Sequence, residues 1–127
     1  MNIGKVAKAW IEMWDYEIND KERDEYEWVE DFEYDAVYDN PKIAIDLVLE
    51  ILKLNPENKI LEVLAAGPLE QVLANHGTKI IDDIESIAKT NKEFNNLLGG
   101  VWKNSMSNEV WKRVQDIRDR SGWDGIA

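Results

Sequence analysis

The sequence contains no cysteine, only three prolines and only seven glycines among its 127 residues. Without cysteine, the chain has no disulfide bonds, no thiolate metal sites and no cysteine nucleophile. No apolar run approaches the roughly 18 residues that a membrane-spanning helix needs, and residues 1–8 lack the apolar core of a secretion signal. We therefore expect a cytoplasmic protein that does not interact with membranes.

Positive charge is also scarce, since 15 basic side chains face 26 acidic ones and the formal net charge is −11. Binding to nucleic acid relies on Lys and Arg to neutralise phosphate, so we expect no direct nucleic-acid partner. The length is typical of one domain, and a hydrophobic content of 44% is sufficient to form a core. The sequence therefore predicts a single helical domain over residues 1–127.

The negative charge is concentrated in one stretch of the chain. Residues 12–39 contain 13 acidic and two basic side chains, whereas the rest of the chain contains 13 of each. Eight of the 12 aromatic residues also lie between positions 10 and 38. The domain is therefore expected to combine an acidic, aromatic part at residues 1–39 with a charge-balanced helical part at residues 40–120.

Proline, asparagine and serine mark the expected helix starts in the charge-balanced part. The Asn-Pro pairs at 40–41 and 55–56 each predict a start, because proline suits the first position of a helix. Asn91 and Ser107 predict the N-caps of two later helices. Apolar residues follow each of these signals at helical spacing, which supports all four helices.

Two glycine-containing pairs are expected to divide the chain further. Gly67-Pro68 and His76-Gly77 each predict the end of one helix, and Thr78 is the expected cap of the next. In the acidic part, the spacing predicts one helix with Val6, Trp10, Met13 and Trp14 on one face and a second with Trp28, Val29, Phe32 and Ala36. The resulting fold class is all-α, an irregular array of about seven to eight short helices stacked as antiparallel pairs.

Four short motifs in the second half occur in a distinctive order: A-G-P-L-E at 66–70, H-G at 76–77, G-V-W at 100–102 and V-W at 110–111. In this order and spacing, they resemble a bacterial family of small α-helical domains of unknown function, over about residues 60–116. The resemblance implies an α-helical bacterial protein. It implies no activity and provides no functional residues.

The residues that could carry chemistry have simpler structural interpretations. His76, the only histidine, is expected to cap a helix end or pack beside it. The alternating acids of residues 31–35 begin like a calcium loop, but Ala36 stands where such a loop needs glycine and Lys42 where it needs glutamate. We therefore predict no catalytic residue, no metal ligand and no cofactor.

Three further features of the charge-balanced part are also expected to be structural. Gly99-Gly100 lacks the spacing and the lysine of a phosphate-binding loop, so it predicts a tight turn between helices, with Trp102 and Trp111 in the core. Glu70 near a helix start and Glu85 on a helix are expected to support packing and capping rather than catalysis.

The acidic, aromatic part leads to the functional hypothesis. Concentrated negative charge accelerates encounter with a basic partner, and tyrosine and tryptophan are typical interface anchors. We expect a non-enzymatic module that binds a basic protein such as a nuclease or toxin, in the manner of an immunity or inhibitor protein. The predicted partner-binding residues are Tyr26, Glu27, Trp28, Glu30, Asp31, Glu33, Tyr34, Asp35 and Tyr38.

Two other interpretations stay open at this point. One is a carboxylate- or metal-dependent hydrolase that uses acids of the N-terminal part, which would need several carboxylates converging on one ion. The other is a structural module that self-associates into a homo-oligomer through exposed tryptophans.

Overall fold

The structure is a computed structural model that describes residues 2–123. Its helices are α1 (Ile3–Met13), α2 (Glu27–Asp39), α3 (Pro41–Lys53), α4 (Asn58–Leu64), α5 (Glu70–Thr90), α6 (Lys92–Leu98) and α7 (Asn108–Ile117). A 3-10 helix, Lys21–Tyr26, precedes α2, and a π-helical turn, Ala65–Leu69, joins α4 to α5 without a break. The described residues thus form six helical rods and no strand, which confirms the all-α prediction.

Three of the four expected helix starts are confirmed. The third helix begins at Pro41, the side chain of Asn91 accepts a hydrogen bond from Phe94 N at 3.0 Å, and that of Ser107 accepts one from Val110 N at 3.2 Å. The start predicted at Asn55-Pro56 is wrong, because α4 begins only at Asn58. Asn55 adopts a positive φ of 48° and its N–H binds Leu52 O, so it ends α3 in the left-handed conformation that commonly terminates helices.

The helix break predicted at Gly67-Pro68 is also wrong. Pro68 has no N–H to donate, and in a regular α-helix its ring would meet the carbonyl of residue i−4. The chain widens here into the π-helical turn, and the helix then continues through Glu70. Proline therefore distorts this helix without ending it.

His76-Gly77 does not stop a helix either, and Thr78 is not a cap. Both positions lie in the middle of the 21-residue α5. Gly77 is buried against α7, where an added Cβ would lie 2.9 Å from Val110 Cγ1. The glycine thus permits close packing of two helices, a role that a single sequence cannot distinguish from a helix stop.

One hydrophobic cluster includes residues from every helix. The first helix lies against α3, α2 lies against both α3 and α5, and α5 lies against α7. Trp10 and Phe94 are among its largest fully buried side chains. This arrangement buries only one side of α2 and leaves the rest of that helix at the surface. No helix within residues 2–123 is both long and apolar enough to cross a membrane.

Residues 118–123 form a segment that we call the C-terminal clasp, which lies over the end of α6 and the Gly99-Gly100 turn. The Trp123 ring lies so close to this turn that an added Cβ on Gly100 would be 2.5 Å from it, and Trp123 Nε1 donates to Asn96 O at 2.7 Å. The prediction that Trp102 lies in the core is wrong, because its side chain is 52% exposed. Trp123 is the tryptophan that packs against the turn, from a distant part of the chain, and Trp111 is only partly buried.

Glu70 and Glu85 have structural contacts, as expected, although their partners lie far away in the sequence. The buried carboxylate of Glu70 accepts hydrogen bonds from Trp102 N at 2.8 Å and from Asn104 Nδ2 at 3.1 Å, and so anchors the loop before α7. Glu85 accepts from Arg113 Nε at 3.1 Å. These hydrogen bonds, and the ion pair of Arg113 with Glu85, hold the pKa of the Glu85 carboxyl below its usual value.

Candidate docking face

The second helix presents one side to the core and two sides to solvent. At 3.6 residues per turn, successive side chains are about 100° apart, and the core takes Val29, Ala36 and Val37. One solvent side carries Glu27, Glu30, Asp31, Tyr34 and Tyr38, and we call these five residues the acidic face. The other solvent side carries Trp28, Asp35 and Asp39, and it adjoins the acidic face, because Asp35 lies only about 40° from Asp31 around the helix.

The aromatic side chains of the acidic face lie at the surface. Tyr34 is 63% exposed and Tyr38 is 41% exposed, and their ring centroids are 4.6 Å apart. Trp28, which the pattern placed with the inner residues of α2, is 37% exposed on the other solvent side. Three of the predicted partner-binding aromatics are therefore accessible.

The charges of α2 have few partners within the fold. The helix contains six carboxylates and no basic residue. Within residues 2–123, the ion pair that these carboxylates form joins Glu30 to Arg23, with Nε 3.7 Å from Oε1. Glu27 and Asp35 each lie one helical turn from Asp31, and such like-charge pairs destabilise a helix by about 0.2–0.5 kcal/mol each. The like-charge pairs around Asp31 therefore oppose the stability of α2, whereas Glu27 and Glu30 in its first turn interact favourably with the helix dipole.

His76 stabilises the C-terminal end of α2 by binding its last carbonyl groups. Its Nε2 lies 3.0 Å from Val37 O and 3.1 Å from Tyr38 O. Because carbonyl oxygens only accept hydrogen bonds, Nε2 carries the proton and donates it to the end of the helix. The prediction that His76 lies at the end of its own helix is wrong, because it lies in the middle of α5; the helix end that it caps is that of α2.

Arg23 holds the segment before α2 in place. The side chain is buried, its guanidinium lies 4.5 Å from the centroid of the Trp14 ring, and Nη1 donates to Tyr16 O at 2.9 Å. An arginine stacked on an aromatic face keeps its charge in a favourable environment even when desolvated. Sequence reasoning missed this residue, although an isolated arginine in a strongly acidic stretch is a usable signal for an internal ion pair.

Two of the nine predicted partner-binding residues are only partly exposed, because their side chains have contacts inside the fold. The carboxylate of Glu33 accepts a hydrogen bond from Trp10 Nε1 at 2.6 Å. Burial raises the pKa of Glu33, and the Trp10 hydrogen bond offsets this only in part. The Tyr26 ring lies 6.0 Å from that of Tyr16, centroid to centroid. The other seven predicted residues are exposed on the two solvent sides of α2.

A groove of about 470 Å³ runs beside the acidic face. Glu30, Asp31, Tyr34 and Tyr38 line it from α2, and Gln71 lines it from α5. The opposite side comes from residues 13–23, which contribute Met13, Trp14, Ile18 and Arg23. The groove therefore combines exposed carboxylates and tyrosine rings with an apolar surface. The pattern of α2 alone predicts only its acidic wall.

The described residues contain no group of three or more His, Asp or Glu side chains arranged to hold a metal ion. Asp31, Glu33 and Asp35 alternate along a helix, so neighbouring members of the series point about 200° apart and do not converge. The alternative of a metal-dependent hydrolase finds no supporting cluster within residues 2–123.

The fold and the surface together define a class: an all-α domain with an acidic, aromatic face on one helix. The chain belongs to a family of unknown function, DUF6869, whose model matches residues 16–122. This match includes Arg23, all of α2 and most of the C-terminal clasp. No curated protein and no solved structure matches the chain significantly.

Proposed function

We propose that this chain is a non-enzymatic binding module whose acidic face docks onto a basic surface of another protein. The observation that carries the proposal is the excess of unpaired carboxylates on α2, beside two exposed tyrosines. Residues that oppose the stability of their own element are typical of functional sites. A basic partner would supply the counter-charges that the fold lacks.

The chemistry of the face also explains how such a partner would be selected. Negative potential accelerates the approach of a basic surface and disfavours acidic ones. Tyr34 and Tyr38 supply large, rigid rings of the kind that carry binding energy at interface centres. Inhibition of a nuclease or toxin, as by an immunity protein, fits this chemistry because a cleft that binds nucleic acid is itself basic.

Charge reversal on the acidic face tests the proposal. The variant Glu27→Lys/Glu30→Lys/Asp31→Lys and the unchanged chain are each used to capture proteins from an extract of the source cells, with mass spectrometry identifying what is retained. We expect the unchanged chain to retain a basic protein and the variant to lose it. Glu33 is left intact, because its hydrogen bond to Trp10 belongs to the fold.

A matched control reverses the same number of charges elsewhere. Asp46, Glu62 and Asp83 are exposed and lie on other helices, so their replacement by lysine changes the net charge equally. We expect this control to keep the captured protein, and both variants to keep the helical circular dichroism of the unchanged chain. Retention by the α2 variant, or equal loss by both variants, contradicts docking through the acidic face.

A further inference from the structure

We propose that the groove beside the acidic face receives an arginine side chain on an extended segment of the basic partner, seated against Asp31, Tyr34 and Tyr38. This inference rests on the proposed function and specifies which part of the partner enters and where. The groove volume of about 470 Å³ is within the usual range of ligand pockets, about 300–1,000 Å³.

The charges that line the groove direct the cation to Asp31. Arg23 is already a buried cation in the wall, and Glu30 is the carboxylate nearest to it. An incoming cation is repelled by Arg23 and is therefore directed to the carboxylate that Arg23 does not neutralise. Among the described residues, three carboxylates line the groove: Glu30 pairs with Arg23 and Glu33 accepts a hydrogen bond from Trp10, which leaves Asp31 as the exposed carboxylate without such a partner. It lies three residues before Tyr34 and seven before Tyr38, so all three share one strip of α2.

The two tyrosine rings favour arginine over other cations. A guanidinium is planar, stacks on aromatic rings and binds a carboxylate through two parallel N–H groups. Trp14 and Arg23 show the same kind of stacking a few residues away within the fold. A lysine ammonium keeps more of its hydration and gains less from the rings. The site formed by Asp31, Tyr34 and Tyr38, which we call the arginine seat, therefore favours arginine over lysine.

The other wall of the groove favours a peptide over a small free cation. Trp14 Nε1 and Arg23 Nε are buried donors without a hydrogen-bond acceptor among the described residues. A buried donor without an acceptor is unfavourable, because it has lost its hydrogen bonds to water. A peptide backbone brings carbonyl oxygens that can meet them after a small rearrangement of the side chains around the groove. A polyamine brings only donors and leaves them unpaired.

The experiment uses a capped peptide, Gly-Gly-Arg-Gly-Gly, titrated into the full ¹⁵N-labelled chain and followed by NMR. The comparison probes are the same peptide with citrulline in place of arginine, which keeps the shape but removes the charge, and spermidine. We expect saturable shifts with the arginine peptide, centred on the amides of residues 31–38 and on the indole N–H of Trp14. Replacing the arginine of the peptide by citrulline should abolish these chemical-shift changes.

A matched pair of variants localises the seat. Asp31→Asn removes the proposed carboxylate, whereas Asp35→Asn removes one equal charge from the next turn of the same helix, at a residue that does not line the groove. We expect Asp31→Asn to weaken binding at least about fivefold, as for an interface hot spot, and Asp35→Asn to change it less than twofold. Tyr38→Ala should weaken it and Trp28→Ala should not.

The outcomes separate this inference from the proposed function. Absence of shifts with the arginine peptide, equal shifts with citrulline or spermidine, or equal effects of Asp31→Asn and Asp35→Asn each overturn the arginine seat. None of these results affects capture of a basic protein by the acidic face. Failure of the charge-reversal experiment, with peptide shifts still confined to the groove, overturns docking through the face instead.

Discussion

The acidic face of α2 and the C-terminal clasp both contain charged and aromatic side chains, but they use them in opposite ways. In the clasp, Arg120 Nη1 donates to Gly99 O at 2.6 Å and Arg118 Nη1 to Val101 O at 3.1 Å, and the ring of Trp123 is buried. On the acidic face, the rings of Tyr34 and Tyr38 meet solvent. The clasp directs its two arginines and its tryptophan toward the fold, whereas the acidic face directs its tyrosines toward solvent.

This comparison shows that amino-acid composition alone does not reveal whether a charged side chain stabilises the fold or is available for binding. Charges in the clasp satisfy backbone carbonyls that would otherwise be left unpaired, so they contribute to stability. On the acidic face, Asp31 lies one helical turn from two like charges, and these pairs reduce stability. Selection for stability therefore explains the clasp but not the acidic face, and binding is the explanation we propose for the latter.

The largest expected difference between the two regions concerns their aromatic rings. Trp123→Ala removes a buried ring and should lower the free energy of unfolding by about 3–5 kcal/mol. Tyr34→Ala removes an exposed ring and should change it by no more than about 0.5 kcal/mol. Urea unfolding followed by circular dichroism measures both. Comparable losses in the two variants would show that the acidic face belongs to the stabilising core.

A smaller effect is expected from added volume beneath the clasp. In Gly99→Ala the new Cβ would lie 2.3 Å from Asp119 O and 2.7 Å from Trp123 Cδ1. Forcing the clasp away should cost about 1–3 kcal/mol in thermal or urea unfolding. Gly67→Ala is the control, because nothing lies within 4 Å of its added Cβ and alanine is the better helix former. A neutral Gly99→Ala would mean that the clasp does not hold this turn closely.

Single charges should change stability in opposite directions in the two regions. Arg120→Gln removes a cation that binds the Gly99 and Trp123 carbonyls, and should lower the free energy of unfolding by about 1 kcal/mol. Asp31→Asn removes two like-charge pairs and should raise it by about 0.2–0.5 kcal/mol for each pair. Chemical unfolding at low salt measures both. A loss of stability in Asp31→Asn would assign that carboxylate a structural role.

The smallest expected difference between the two regions is in how their stability depends on pH. Burial raises the pKa of Glu33, beneath the acidic face, whereas hydrogen bonds from the Ser121 N–H and hydroxyl lower the pKa of Asp119 in the clasp. The contribution of Asp119 to stability is therefore present above its unfolded pKa and lost as the pH falls through its folded pKa. The contribution of Glu33 to stability has the opposite pH dependence. It is present below the unfolded pKa of Glu33 and is lost as the pH rises through the folded pKa.

NMR titration of the side-chain carboxyl carbons checks both directions. Glu33 should titrate above the ordinary range for glutamate and Asp119 below that for aspartate, and the indole N–H of Trp10 should follow Glu33 through their hydrogen bond. Glu33→Gln should abolish that indole shift. A Glu33 that titrates at or below its ordinary pKa would show that its carboxylate is not desolvated.

Local sequence signals predicted much of the fold because they act over a few residues. The caps at Asn91 and Ser107 lie within three residues of the N–H groups that they bind. Gly67-Pro68 and Gly77 misled the same reasoning, since a π-helical turn and the distant Val110 decide their roles. Trp102 and Trp123 are equally apolar, and only the position of the Gly99-Gly100 turn distinguishes them.

The sequence alone showed that this chain is helical and that its negative charge lies in residues 12–39. Apolar periodicity and charge counts are sufficient for this, because both are properties of residues close together along the chain. Tertiary packing decided which carboxylates have partners: Glu33 meets Trp10, while Asp31 stays at the surface. It also formed the groove, since Arg23, Tyr38 and Gln71 meet only when three segments come together. Burial and partnership depend on which helices touch, and local sequence does not contain that information.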